Sequence, residues 1–151
     1  MTPFRIAALM TALVLTAAPA PAAEPGDAAL FQEAGELTLD AFRWDKRPVV
    51  IFADSALDPL FTRQMQALEA RPEALAARDV VIITDTDPAA MSPLRRLLRP
   101  RGFMLVLVGK DGQIKLRKPQ PWDVRELSRS IDKMPIRQQE LQSQRNTVTT
   151  P

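Results

Sequence analysis

The chain has 151 residues with 20 Lys+Arg against 18 Asp+Glu, and it contains no Cys, His or Tyr. With neither thiolate nor imidazole, thiol redox chemistry, the serine–histidine–acid triad, the cysteine–histidine pair and ordinary zinc ligation are all closed to it. Near-balanced charge argues against a nucleic-acid protein, and without disulfides the fold must be held by packing.

At the amino terminus, Arg5 precedes an apolar stretch from Ile6 to Ala18, and Ala20-Pro21-Ala22 supplies a small-x-small pattern. That layout predicts a secretory signal peptide over residues 1–22, too short to read as a membrane span. With no cysteine after the cut there is no site for a lipid anchor. The expectation is a periplasmic or secreted protein with no stable membrane insertion after cleavage. Residues 23–40 read as a loosely structured lead-in and 41–136 as the folded body. Residues 137–151 are polar and poor in apolar groups, which predicts a frayed helix and a disordered tail.

Inside the body the punctuation is legible. Val49 to Ala53 is continuously apolar, as a strand covered on both faces should be. Asp58-Pro59 reads as the N-cap and first residue of a helix, with Leu57, Phe61, Met65 and Leu68 as its apolar stripe. Arg71-Pro72 interrupts that helix, and a short turn through Leu75 leads to a second strand, Val80 to Ile83. Asp85 to Pro88 reads as a turn. Ser92-Pro93 opens a short helix with Leu94, Leu97 and Leu98 inward, and Phe103 to Val108 is a third apolar strand.

Gly109-Lys110-Asp111-Gly112 then predicts a hairpin into a fourth strand, Gln113 to Lys118, which alternates polar and apolar as a half-buried edge does. The last helix carries Asp123 as N-cap and Glu126 as a capping-box partner, with Trp122 and Leu127 at the staple positions. Val124, Leu127 and Ile131 form its apolar stripe, and Pro135 should end it.

This order predicts an α/β, thioredoxin-like fold: a mixed four-stranded sheet, helices on both faces and a C-terminal antiparallel hairpin. In a thioredoxin-like enzyme the turn after the first strand carries the catalytic sulfur; here it reads Asp54-Ser55-Ala56-Leu57-Asp58.

A narrower resemblance rests on Phe42-Arg43-Trp44, Arg78-Asp79, the Gly109–Gly112 turn with Lys115-Leu116-Arg117, and Met134-Pro135-Ile136-Arg137. Over roughly residues 38–138 the chain resembles the cysteine-free, peroxiredoxin-like domain of unknown function found in short exported bacterial proteins. A related domain occurs in vertebrate matrix proteins of the equarin type. The resemblance implies a thioredoxin-like fold and transfers no catalytic residue. Thioredoxins also place a cis-proline just before the third strand; here Arg101 and Gly102 stand there, so peptide docking of the thioredoxin kind is not implied.

Three constellations could carry function. Asp54, Ser55 and Asp58 at a helix start read as a cap and turn, since any anion there would meet two carboxylates. Arg95, Arg96, Arg99 and Arg101 read either as a solvated face complementing a helix dipole or as a patch for polyanions. Lys110, Lys115, Arg117 and Lys118 read either as guards of an edge strand or as an anion site, because Lys115 and Arg117 share a face by the two-residue period.

The expectation is a non-redox thioredoxin-like domain that acts by binding, with no catalytic residue, cofactor or metal. Arg43, Lys110, Lys115 and Arg117 are its candidate binding residues, and the partner is an envelope or extracellular molecule or a small anion. Two alternatives stand beside it: an enzyme with a peroxiredoxin-like pocket using carboxylates and arginines, and a cationic protein bound to the envelope surface.

Overall fold

The computed structural model describes residues 30–149. The signal segment, residues 23–29 of the lead-in and the last two positions of the tail lie outside the described residues. In chain order the elements are β1 (Phe31–Glu33), β2 (Arg47–Phe52), α1 (Pro59–Glu69), α2 (Pro72–Ala76), β3 (Val80–Asp85) and α3 (Pro93–Leu98). They continue with β4 (Met104–Val108), β5 (Ile114–Lys118), α4 (Val124–Asp132) and α5 (Pro135–Thr149).

One sheet runs β1-β3-β2-β4-β5, five strands where the sequence predicts four. The additional strand comes from the lead-in. Phe31 to Glu33 pairs in parallel with Ile82 to Thr84, and Leu30 O accepts the Ile82 amide at 2.6 Å. Three residues carry too little pattern to announce a strand; the free edge of β3 makes one of them by satisfying their backbone groups. β2 and β3 are parallel, whereas β4 runs antiparallel to both β2 and β5.

The apolar strands bury both faces by the two-residue period. Val49, Ile51, Ile82, Leu105 and Leu107 pack with Leu68 of α1, Leu75 of α2 and Leu127 and Ile131 of α4. Val50, Phe52, Ile83, Val106 and Val108 pack on the other face with Leu94 and Leu98 of α3 and with Leu39 and Phe42 of a 3-10 turn. Helices therefore cover both faces.

Several local expectations change. Leu57 is 88% exposed because the helix begins beyond it, after the Asp58 cap. On the six-residue α3 Leu94, Arg95 and Leu98 turn inward, and Leu97 is exposed. Asp123 caps α4 by accepting from the Arg125 amide, but Glu126 pairs with Arg129 at 2.7 Å and makes no capping box. Pro135, expected to end α4, stands instead at the first position of α5, where its missing amide proton costs nothing.

Candidate functional site

The sheet has two poles. At one lie the carboxyl ends of β2 and β3 and the beginning of β4. From β2 the chain crosses through α1 and α2 on one face; from β3 it crosses through α3 on the other. Open α/β sheets place ligands in the crevice that such diverging connections leave.

At this pole the turn that would hold a thiol is spent on local backbone. Ser55 Oγ accepts from the Leu57 amide at 3.1 Å, and Asp58 Oδ1 accepts from the Leu60 amide at 2.8 Å. Neither oxygen faces a base. Beside the turn, Asp54, Pro88, Met91, Arg96 and Arg99 line an open groove of about 560 Å³. Its floor includes Arg95, which does not belong to the solvated cluster predicted. Arg95 is 7% exposed and donates through Nε and a terminal nitrogen to Asp85 Oδ1, at 3.1 and 2.8 Å, and also to Ala53 O and Asp85 O. Its guanidinium lies 5.3 Å from the Phe52 ring centroid, and Ser92 Oγ donates to the second Asp85 oxygen. A pair this deep holds only when its hydrogen bonds are filled, as they are here. Arg96, Arg99 and Arg101 are exposed and have no ion-pair partner among the described residues.

The opposite pole carries the amino ends of β2 and β3 and the hairpin, and three of the four sequence-predicted residues gather there. Lys110 is bonded to Asp79 at 2.8 Å and Glu140 at 2.9 Å. Lys115 is held by Asp111 at 2.6 Å. Arg43 donates to Asp111 O at 3.4 Å and packs over Gly112, where an added Cβ would come within 3.2 Å of its Nε. Gly112 also needs its positive φ of 77°, which glycine adopts freely. Arg117 is elsewhere: it donates to Leu98 O at 2.6 Å, against α3. The register shifts opposite Leu107 and Val108, which leaves Lys115 as the extra, unpaired residue of a bulge in β5 and breaks the two-residue period, so Lys115 and Arg117 do not share one surface.

Sequence reasoning missed the centre of this pole. Arg47, 1% exposed, donates to Arg78 O at 2.8 Å and to Glu140 at 2.9 Å. Arg137 bonds Glu140 at 3.2 Å and Ala77 O at 2.9 Å, and Arg78 grips Asp132 with two hydrogen bonds. Burial favours a neutral Glu140, but hydrogen bonds from Lys110, Arg47 and Arg137 outweigh it and lower its pKa to about 2. Burial likewise opposes a charged Lys110, yet Asp79 and Glu140 raise its pKa. The only sequence signal was a charge at the very start of an apolar strand. Among the described residues, no group of three His, Cys, Asp or Glu could hold a metal, and no helix is long and apolar enough to cross a membrane.

Comparison with solved structures identifies the fold as thioredoxin-like. The chain is similar to thioredoxin O2 from Arabidopsis thaliana in the oxidised state, with a TM-score of 0.53 at 15% identity over 70% of this chain and 95% of that one. It is similar also to reduced 2-Cys peroxiredoxin from Plasmodium vivax, with a TM-score of 0.52 at 14% identity over 64% of this chain and 81% of that one. Residues 38–140 match the family described as Domain of unknown function (DUF4174).

Proposed function

We propose, for a chain that belongs to the DUF4174 family of domains of unknown function, an exported thioredoxin-like domain that acts by binding, without redox turnover. One observation carries this reading. At the pole where a thioredoxin-like enzyme presents its sulfur, the oxygens of Ser55 and Asp58 are spent on backbone amides, while Arg96 and Arg99, which have no ion-pair partner among the described residues, line a groove of about 560 Å³ to which Asp54 contributes one carboxylate. Exposed Met91 beside them adds apolar surface. Such a groove suits a partner with an acidic and an apolar element. The amino-terminal segment of residues 1–22 supports a periplasmic or extracellular site of action.

The test compares the purified chain with the Arg96→Glu/Arg99→Glu double variant in pull-downs from envelope extract, alongside insulin-reduction and peroxide assays. The reading expects a partner retained by the parent chain and lost by the double variant at unchanged denaturant midpoint. A charge-assisted contact contributes about 1.5–3 kcal/mol, so losing two lowers affinity by more than about a hundredfold. Turnover in either assay, or equal capture by both proteins, overturns it. Salt-sensitive capture of anionic vesicles in place of a protein partner would identify a membrane surface.

A further inference from the structure

The network around Arg47 does not balance. Among the described residues, the ion pairs link Arg47, Arg78, Lys110 and Arg137 to Asp79, Asp132 and Glu140, four cations against three carboxylates. Lys115 and Asp111 beside it cancel each other. Arg47 is 1% exposed, and its Nε is buried with no hydrogen-bond partner among the described residues. Buried N–H groups are nearly always satisfied, and an unmatched buried charge costs far more than an unmatched dipole. Arg137 Nε is likewise buried without a hydrogen-bond partner among the described residues, but of the two arginines only Arg47 lines a cavity. Arg47, Lys110 and Lys115, with the single carboxylate Asp111, line a cavity of about 120 Å³ whose remaining wall includes Met134 and Ile136.

The cavity is built tightly. An added Cβ on Gly109 would lie 2.5 Å from both Asp111 Oδ1 and Lys115 Cε, so any larger residue there would have to displace these two side chains of the cavity wall. A water molecule could accept from Arg47 Nε, but it would leave the excess charge in place.

The geometry points to a small tetrahedral oxyanion, a phosphate or sulfate group, as the occupant of this cavity. It would accept from Arg47 Nε and the ammonium groups of Lys110 and Lys115, and it supplies the negative charge that the network lacks. Charge-assisted bonds from a fixed guanidinium and two lysines are the usual means of holding such a group. Lys110 and Lys115 were in the sequence-predicted set; Arg47 is the member that makes the site, while Arg43 and Arg117 fall outside its lining. This pole is opposite the arginine groove, so the fate of either reading leaves the other standing.

The experiment titrates the purified full chain with inorganic phosphate at ionic strength held constant with chloride, following heat and the ¹⁵N resonance of Arg47 Nε. Saturable binding that moves this resonance is expected. Arg47 variants are expected to unfold, so the discriminating pair is Lys115→Met and Lys118→Met. Both remove one charge from β5, but Lys118 stacks on the Trp122 ring at 5.0 Å, away from the cavity lining. Lys115→Met should weaken phosphate about tenfold and Lys118→Met should not. A phosphate monoester run in parallel separates sources: equal affinity means the terminal phosphate of a larger ligand enters, and exclusion means the free ion is bound. Phosphate indistinguishable from chloride, an unmoved Arg47 resonance, or equal loss in the two lysine variants overturns the proposal.

Discussion

Gln64 on α1 and Trp122 just ahead of α4 exchange two hydrogen bonds: Gln64 Nε2 donates to the Trp122 carbonyl at 3.1 Å, and the Trp122 amide donates to Gln64 Oε1 at 2.6 Å. The side-chain amide thereby acts as a backbone segment, tying the start of α4 to a helix 58 residues earlier. Gln64 itself is fully buried. Gln64→Ala would leave both Trp122 backbone groups without their partner and open a small void. The expected loss is about 2–4 kcal/mol, read as a lowered denaturant midpoint. An unchanged midpoint would mean that water replaces the amide without cost.

The Asp85–Arg95 pair predicts a larger loss. Their side chains are 3% and 8% exposed, and Asp85→Asn would leave the Arg95 guanidinium buried without its counter-charge. Breaking such a pair from one side costs about 3–5 kcal/mol. Equilibrium unfolding of the variant measures this, and a loss below 1 kcal/mol would show that Arg95 escapes to solvent through the groove.

Glu140 predicts a specific acid sensitivity. Its folded pKa is about 2 against an ordinary value of 4.5, so the folded state binds this proton less readily than the unfolded chain. The associated stabilisation is fully present above about pH 5 and is lost as pH falls toward 2. Glu140→Gln should be less stable at neutral pH, yet lose less stability on acidification than the parent. Parallel slopes for the two proteins between pH 5 and pH 2 would remove Glu140 from the account of acid unfolding.

Export predicts a defined amino terminus. Expressed with its first 22 residues in a bacterium, the chain should be recovered from the envelope fraction beginning at Ala23 or within a few residues of it. Mass spectrometry decides the point, and intact chain in the cytoplasm would refute it.

Trp122→Ala tests the packing at the same junction. The ring packs against the first core cluster and beneath Lys118 Nζ, so its removal should lower stability by about 2–4 kcal/mol. If the midpoint does not move, the junction is held by the Gln64 bonds alone.

What the sequence by itself determined is what neighbouring residues decide among themselves. Three apolar runs became β2, β3 and β4; Asp58, Ser92 and Asp123 became caps; and the glycines of the Gly109–Gly112 turn became a hairpin. The missing cysteine closed thiol chemistry before any coordinate was known. The tertiary structure decided what distant partners decide. Three residues of the lead-in became a strand because β3 offered an edge. Arg95 sank because Asp85 waited beneath it. Arg47 could enter the core only because Arg78, 31 residues away, and Glu140, 93 residues away, arrived with acceptors for it. A charge at the start of an apolar strand looks like a solvated end until those partners are placed. Its desolvation is offset by contacts that exist only in the folded chain.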